Sequence, residues 1–111
     1  MTSNEKILFV VNLIPEGNVF TYGKVADLAG LPGRSRMVSK ALKQAPRSML
    51  IPWHRVINSQ GKISIPKDTK GYREQIELLR IEGIEINNGR IKLADYEWRP
   101  DLATLVMDIP F

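Results

Sequence analysis

Residues 21–44 read TYGKVADLAGLPGRSRMVSKALKQ and carry the strongest indications of the fold. Thr21 is a suitable N-cap for a short helix predicted over residues 22–29. The GLPG run at 30–33 predicts a tight turn, and an amphipathic pattern predicts a longer helix over 34–44. A helix, a short glycine-containing turn and a second helix are typical of a helix-turn-helix.

Three cations share one face of the second predicted helix. Arg36, Lys40 and Lys43 stand at i, i+4 and i+7, which places them in a narrow stripe at about 100° per residue. The exposed face of this helix enters a DNA groove in helix-turn-helix proteins, where such side chains contact phosphates. The alternative is an ordinary solvated helix face. The opposite, apolar face carries Val38, Ala41, Leu42 and Ala45.

The flanking sequence adds two amphipathic helices. Apolar residues at i, i+3, i+4 and i+7 predict a helix over residues 5–14. A second helix is predicted over 70–82, with Gly83 as its C-terminal stop. The fold class that follows is mostly α.

The β structure is limited to short segments. Residues 49–52 are predicted to be extended, and residues 55–57 to form a short strand that returns through 62–64. Residues 84–93 alternate apolar and polar around an Asn-Gly pair, a strong hairpin signal. The pattern predicts one winged helix-turn-helix domain with small β hairpins over residues 1–111. The tail is predicted to be extended and to pack back through Tyr96, Trp98 and Pro100.

The composition excludes several function classes. The 111 residues contain no cysteine, which removes disulfides, thiolate catalysis and cysteine-based metal sites. With His54 as the single histidine, we expect neither a metal centre nor a cofactor. No run of 18 apolar residues or secretory signal is present, so a cytoplasmic protein without a membrane anchor is expected. The net charge of +4 is compatible with a polyanionic partner.

Residues 51–59, IPWHRVINS, are the most informative stretch. They resemble the active-site motif of the O6-alkylguanine-DNA alkyltransferases, Pro-Cys-His-Arg-Val, in which the Cys accepts the alkyl group. Trp53 stands at the Cys position, so the chain resembles the alkyltransferase-like proteins. The similarity extends upstream to TYGKV at 21–25 and downstream to YEWRP at 96–100. It implies the fold of the C-terminal domain of the alkyltransferases.

The resemblance assigns roles to four residues. Tyr22 matches a tyrosine that rotates the target nucleotide out of the duplex and lines the base pocket. Arg36 matches an arginine that fills the vacated space, where a planar guanidinium can stack on neighbouring bases. Trp53 would form an apolar wall for the base or its alkyl group. Val56 matches a residue whose backbone carbonyl receives the guanine amino group.

The resemblance also implies a lid over the pocket, at residues 64–68 with Ser64 and Lys67. Relatives place an arginine on this loop against the alkyl adduct, whereas this chain offers only Lys67, which is not equivalent at a stacked site. The loop is longer than in the enzymes, which suggests a pocket for bulkier adducts.

The chemistry of transfer can be judged independently. Accepting an alkyl group needs a strong nucleophile such as an activated thiolate, and the Trp53 indole has none. His54, Arg55 and Glu82 are therefore interpreted as a hydrogen-bonded frame for the pocket rather than as a relay. The chain is predicted to be a non-enzymatic protein.

The function that the resemblance implies is a DNA damage sensor. It would bind O6-alkylguanine in double-stranded DNA by nucleotide flipping, as a monomer, and hand the lesion to nucleotide excision repair proteins. In the cell it would be cytoplasmic, and nucleoid-associated when bound to DNA. The alternatives are a DNA glycosylase or lyase using His54 or Asp68, a sequence-specific winged-helix regulator, or a protein that shields the lesion from repair.

Overall fold

The computed structural model of the chain describes residues 1–111, with Leu102 described by its backbone alone. The helices are α1 (Ser3–Leu13), α2 (Tyr22–Leu28), α3 (Ser35–Gln44), α4 (Lys70–Ile81), α5 (Leu93–Tyr96) and α6 (Leu102–Asp108). The strands are β1 (Phe20–Thr21) and β2 (Val56–Ile57), and two 3₁₀ turns span Arg47–Met49 and Trp53–Arg55. In the part of the chain described, no helix combines the length and apolar character needed to cross a bilayer.

A capping box starts α1. Thr2 Oγ1 accepts from the Glu5 N–H at 3.1 Å, and Glu5 Oε1 accepts from the Thr2 N–H at 2.8 Å. These bonds satisfy donors that a helix N-terminus otherwise leaves free. The helix predicted over residues 5–14 is confirmed, with its start two residues earlier. It buries Ile7, Val10 and Val11.

The predicted helix-turn-helix is formed by α2 and α3. Thr21 caps α2 as expected, because its hydroxyl accepts from the Lys24 N–H at 3.3 Å. The turn closes with the Leu31 N–H donating to the Ala26 carbonyl at 2.9 Å. On its inner face α3 buries Val38, and the same apolar cluster contains residues of α1 and α2.

Two apolar clusters lie on either side of a small parallel sheet. Phe20 lies opposite Val56, and Thr21 lies opposite Ile57. Because successive side chains of a strand point to opposite faces, Phe20 and Val56 join the cluster of α1–α3, and Ile57 joins the other one. This second cluster contains Val19, Ile57, Ile63, Leu79, Ile84, Ile86 and Ile91.

The predicted return of strand 55–57 through residues 62–64 is wrong. The β2 strand pairs in parallel with β1 instead. Asn58 explains the difference, because its side-chain oxygen accepts from the Lys62 N–H at 2.9 Å and closes a loop over residues 58–62. The Ile63 N–H then donates to the Gly89 carbonyl at 3.0 Å, which carries the segment away from β2.

The Asn-Gly turn of the predicted hairpin is confirmed, but the flanking strands are not. Asn88 and Gly89 have φ of 53° and 72°, the pair of left-handed residues that a type I′ turn requires. The hairpin is limited to one antiparallel bridge, Asn87 to Arg90. A longer ladder is prevented because backbone donors nearby find other partners; the Ile91 N–H, for example, bonds the Gly61 carbonyl at 2.8 Å.

Residues 49–52 are not extended as predicted. Arg47–Met49 form a 3₁₀ turn, and Leu50 follows it in the left-handed region with φ of 50° and ψ of 40°. The Leu50 N–H donates to the Arg47 carbonyl at 3.2 Å, which satisfies a donor within the turn. The missed element is three residues long, and so leaves no periodicity in the sequence.

The tail is partly helical rather than extended. Its helix α6 begins at a cap, because Asp101 Oδ1 accepts from the Thr104 N–H at 2.7 Å. The expectation that Trp98 packs on the body is confirmed. Its backbone N–H donates to the Val19 carbonyl at 2.8 Å, and its ring lies edge-on to Phe20 with centroids 5.0 Å apart.

Replacing Gly61 by alanine is expected to destabilise the fold more than replacing Gly33, although both glycines have φ of +77°. A Cβ at Gly61 would lie 2.6 Å from the Ile91 carbonyl oxygen, whereas one at Gly33 meets nothing within 4 Å. We expect Gly33→Ala to cost about 1–2 kcal/mol and Gly61→Ala roughly 1–3 kcal/mol more. Urea unfolding measures both. Equal losses would contradict the close contact.

Candidate nucleic-acid interface

A cleft of about 1120 Å³ opens beside the C-terminal end of α3. This volume is ample for a nucleobase, since small-molecule pockets commonly measure roughly 300–1,000 Å³. Its lining combines an α2 residue, the end of α3, both 3₁₀ turns, the 64–68 loop and α4. The lining includes Tyr22, Lys43, Leu50, Trp53, His54, Arg55, Ser64, Ile65 and Pro66.

Trp53 is held at the cleft by a tight backbone reversal. Pro52 has φ of −76° and ψ of 61°, the geometry of an inverse γ-turn, and the Trp53 N–H donates to the Ile51 carbonyl at 2.7 Å. Ile51 is buried and anchors the turn. The half-buried indole lies edge-on to His54, so an aromatic surface without a nucleophilic atom faces the cleft.

Behind Trp53, the Glu82 carboxylate bonds both His54 and Arg55. Arg55 donates to both carboxylate oxygens of Glu82, from Nε at 3.0 Å and from Nη2 at 2.9 Å. His54 Nε2 bonds the same carboxylate at 2.5 Å. The Gly17 N–H donates to it at 2.9 Å, and Arg55 Nη1 donates to the Ile14 carbonyl at 2.8 Å. The network ties the second 3₁₀ turn to the ends of α1 and α4.

The network also fixes the charge of Glu82. Burial alone would raise its pKa, but hydrogen bonds from Arg55, Gly17 and His54 outweigh burial and lower the pKa to about 2. The carboxylate is therefore ionised at neutral pH, and both of its oxygens already accept hydrogen bonds. Within the described residues, no three His, Asp or Glu side chains cluster closely enough to hold a metal ion.

Gln75 is a site residue that the sequence analysis missed. It is buried on α4, and its Nε2 donates to the carbonyls of His54 at 3.0 Å and Val56 at 3.1 Å. Val56 is itself buried and does not line the cleft. The spacing of Gln75 from Tyr72 and Leu79 in the sequence places it on the apolar face of α4. A glutamine on such a face needs internal hydrogen-bond partners.

Tyr22 and Ser64 meet across the cleft. The Tyr22 Oη and Ser64 Oγ atoms lie 3.1 Å apart and share a hydrogen bond. This contact joins the start of α2 to the 64–68 loop, and both hydroxyls are available to a polar group that enters. The structure thus brings Tyr22, Trp53 and Ser64 together, as the sequence predicted.

The predicted basic stripe lies on the exposed face of α3. Arg36, Lys40 and Lys43 are exposed, whereas Val38 on the opposite face is fully buried. None of the three cations forms an ion pair with a side chain that the structure describes. Lys43 lines the cleft, and Arg36 lies seven residues away, roughly 10 Å along the helix axis. The stripe therefore leads along α3 to the cleft.

Two residues of the 64–68 loop lie apart from the cleft lining. Lys67 and Asp68 are exposed, and neither lines the cleft. Ile65 and Pro66 line it instead, so the loop offers an apolar surface there. This position disfavours the alternative in which Asp68 attacks a bound nucleotide.

With this helix-turn-helix and this cleft, the chain is a helix-turn-helix protein of the alkyltransferase class. Residues 2–84 match the family model described as the 6-O-methylguanine DNA methyltransferase, DNA binding domain. The structure is similar to a crystal structure of Schizosaccharomyces pombe Atl1 in complex with damaged DNA containing O6-carboxymethylguanine. That match has a TM-score of 0.81 at 37% identity and covers 88% of this chain and 95% of the other.

Relatives within the class narrow the assignment. A DNA base-flipping protein from Vibrio parahaemolyticus is 45% identical over 97 residues, which cover 86% of this chain and 94% of the relative. Alkyltransferase-like protein 1 from Schizosaccharomyces pombe is 38% identical over 100 residues, covering 86% and 93%. The chain belongs to the family of alkyltransferase-like, DNA base-flipping proteins, and the resemblance drawn from the sequence is confirmed.

Proposed function

We propose that this protein binds O6-alkylguanine in duplex DNA by flipping the damaged nucleotide into the cleft beside Trp53. The observation that carries the proposal is that Tyr22, Trp53 and Ser64 share one cleft at the end of the basic face of α3. Phosphate contacts from α3 would supply affinity, and the indole would form the wall against the base. The modified guanine forms a weak base pair, which lowers the free-energy cost of extruding it from the duplex.

We further propose that the bound lesion is left chemically unchanged. The chain contains no cysteine, and the His54–Glu82 pair lies behind an indole, which offers no nucleophilic atom comparable to a thiolate for His54 to activate. Glu82 is also fully engaged by Arg55 and Gly17.

Incubating the protein with duplex O6-methylguanine and weighing both partners by mass spectrometry tests this point. We expect an unmodified protein and intact lesion DNA. A protein heavier by one methyl group, a free base or a cut strand would identify an enzyme.

Removing one cation of the basic stripe is expected to weaken salt dependence. Each neutralised phosphate contributes roughly −0.9 to the slope of log K against log salt, so Lys40→Ala should make the slope shallower by about one. Lys92, an exposed lysine at the start of α5, supplies the matched control. Fluorescence anisotropy at several salt concentrations measures the slopes. Equal slopes for Lys40→Ala and Lys92→Ala would place the DNA elsewhere.

The cellular role that suits binding without repair is recruitment of nucleotide excision repair. We propose that the protein acts as a monomer, is cytoplasmic, and becomes nucleoid-associated on damaged DNA. Deleting its gene should sensitise cells to an O6-alkylating agent only while excision repair is intact. Added sensitivity in a strain that already lacks excision repair would contradict the hand-off.

A further inference from the structure

Leu50 combines two unfavourable features at the edge of the cleft. The residue is 87% exposed, although it is one of the apolar residues that line the cleft. Its backbone is left-handed with φ of 50°, a conformation that glycine or asparagine adopts far more cheaply than leucine. A single exposed leucine is ordinary, but its combination with a strained backbone is not, and such strain concentrates at functional sites.

The local backbone presents Leu50 outward while turning its neighbours inward. The left-handed Leu50 ends the first 3₁₀ turn, Ile51 is buried, and the γ-turn at Pro52 directs Trp53 into the cleft. Two reversals within four residues therefore place an apolar side chain at the mouth and an aromatic one deeper inside. Ile65 and Pro66 of the 64–68 loop add apolar surface to the same cleft.

We infer that Leu50 is a specificity residue that contacts the alkyl chain of O6 adducts longer than methyl. The inference rests on the proposed function, because a base held against Trp53 would direct its O6 substituent along the same cleft. The occupant is an alkyl chain, because Leu50, Ile65 and Pro66 contribute apolar surface to the cleft that would receive it. Each methylene removed from water is worth roughly a factor of four in affinity.

The test compares duplexes carrying guanine, O6-methylguanine or O6-butylguanine with the wild-type chain and Leu50→Asn. Asparagine tolerates the left-handed backbone, so the fold should be retained, as thermal melting checks. Met49→Gln is the matched control, because Met49 is half exposed on the same turn but does not line the cleft. Fluorescence anisotropy gives the dissociation constants.

We expect Leu50→Asn to weaken binding of the butyl duplex by about tenfold and binding of the methyl duplex by less than twofold. Met49→Gln should leave both values unchanged. Equal weakening on all three duplexes would overturn the inference, because it would mean that Leu50 contacts the DNA itself. No change on the butyl duplex would also overturn it. A wild-type chain that binds all three duplexes equally would instead overturn the proposed function.

Discussion

Replacing Arg36 by alanine is expected to lower the affinity for a duplex containing O6-methylguanine by about 30-fold, or about 2 kcal/mol, the loss typical of an arginine anchor. Arg36 lies exposed near the start of α3, without an ion pair to any side chain that the structure describes. Its guanidinium is thus free to stack in the space that a flipped nucleotide leaves. Binding to undamaged duplex, where nothing is flipped, should fall much less.

Lys40→Ala supplies the control for this prediction, because Lys40 lies one turn along the same exposed face. It should weaken binding to damaged and undamaged duplexes by the same small factor, as expected for a phosphate contact. Titrations of both duplexes with both variants separate the two roles. If Arg36→Ala also weakened the two duplexes equally, Arg36 would be a phosphate contact and not the residue that fills the stack.

Glu82→Gln is expected to destabilise the fold by about 3 kcal/mol at neutral pH, the lower end of the cost of breaking a buried ion pair. Only 6% of the Glu82 side chain is exposed, and Arg55 beside it is 17% exposed. Without the carboxylate, the Arg55 charge loses its bidentate partner, and the Gly17 N–H loses a charged acceptor. Urea unfolding measures the loss.

The pH dependence of stability provides a second measure of the same network. Because the pKa of Glu82 falls from 4.5 to about 2 on folding, its contribution is complete above pH 4.5 and is lost as the pH falls toward 2. The wild-type unfolding free energy should therefore decline over this range more steeply than that of Glu82→Gln. Glu77→Gln, at an exposed position of α4, is the control. Parallel profiles for wild type and Glu82→Gln would contradict the assignment.

The helices could be predicted from the sequence because their signals are local. The Thr21 cap marks the start of α2, and apolar periodicity marks the buried face of α1, whose Thr2–Glu5 capping box the prediction did not use. The basic face of α3 could be predicted in the same way, since Arg36 and Lys40 are one helical turn apart. Trp53 was identified through its motif, and its place in the cleft agrees with that identification.

The sheet could not be predicted, because its strands are short and the two strands are far apart in the sequence. Each strand has two residues, too few for a period, and Phe20 pairs with Val56, 36 positions away. Residues 58–61 also resembled the turn of a hairpin, whereas the Asn58 side chain accepts from the Gln60 and Lys62 N–H groups and closes a local loop. Pairings of this kind depend on which apolar side chains fill the two clusters.

The cleft lining was only partly predictable for a related reason. Leu50 carries no motif, and its position follows from a left-handed backbone that appears only in the folded chain. Lys67 was inferred from the resemblance of the 64–68 loop to a lid over the pocket, and the loop presents Ile65 and Pro66 to the cleft instead. The motif correctly placed Trp53 at the cleft, but the sequence did not show which side chains of the 64–68 loop face it.

Lesion recognition without repair is tested by the affinity of this protein for matched duplexes with guanine or O6-methylguanine, with a parallel assay for the intact lesion after incubation. We predict tighter binding to the damaged duplex, with the methyl group still on the base when the complex is dissociated. Equal affinity for both duplexes would contradict lesion recognition, and loss of the methyl group or of the base would show that the protein is an enzyme.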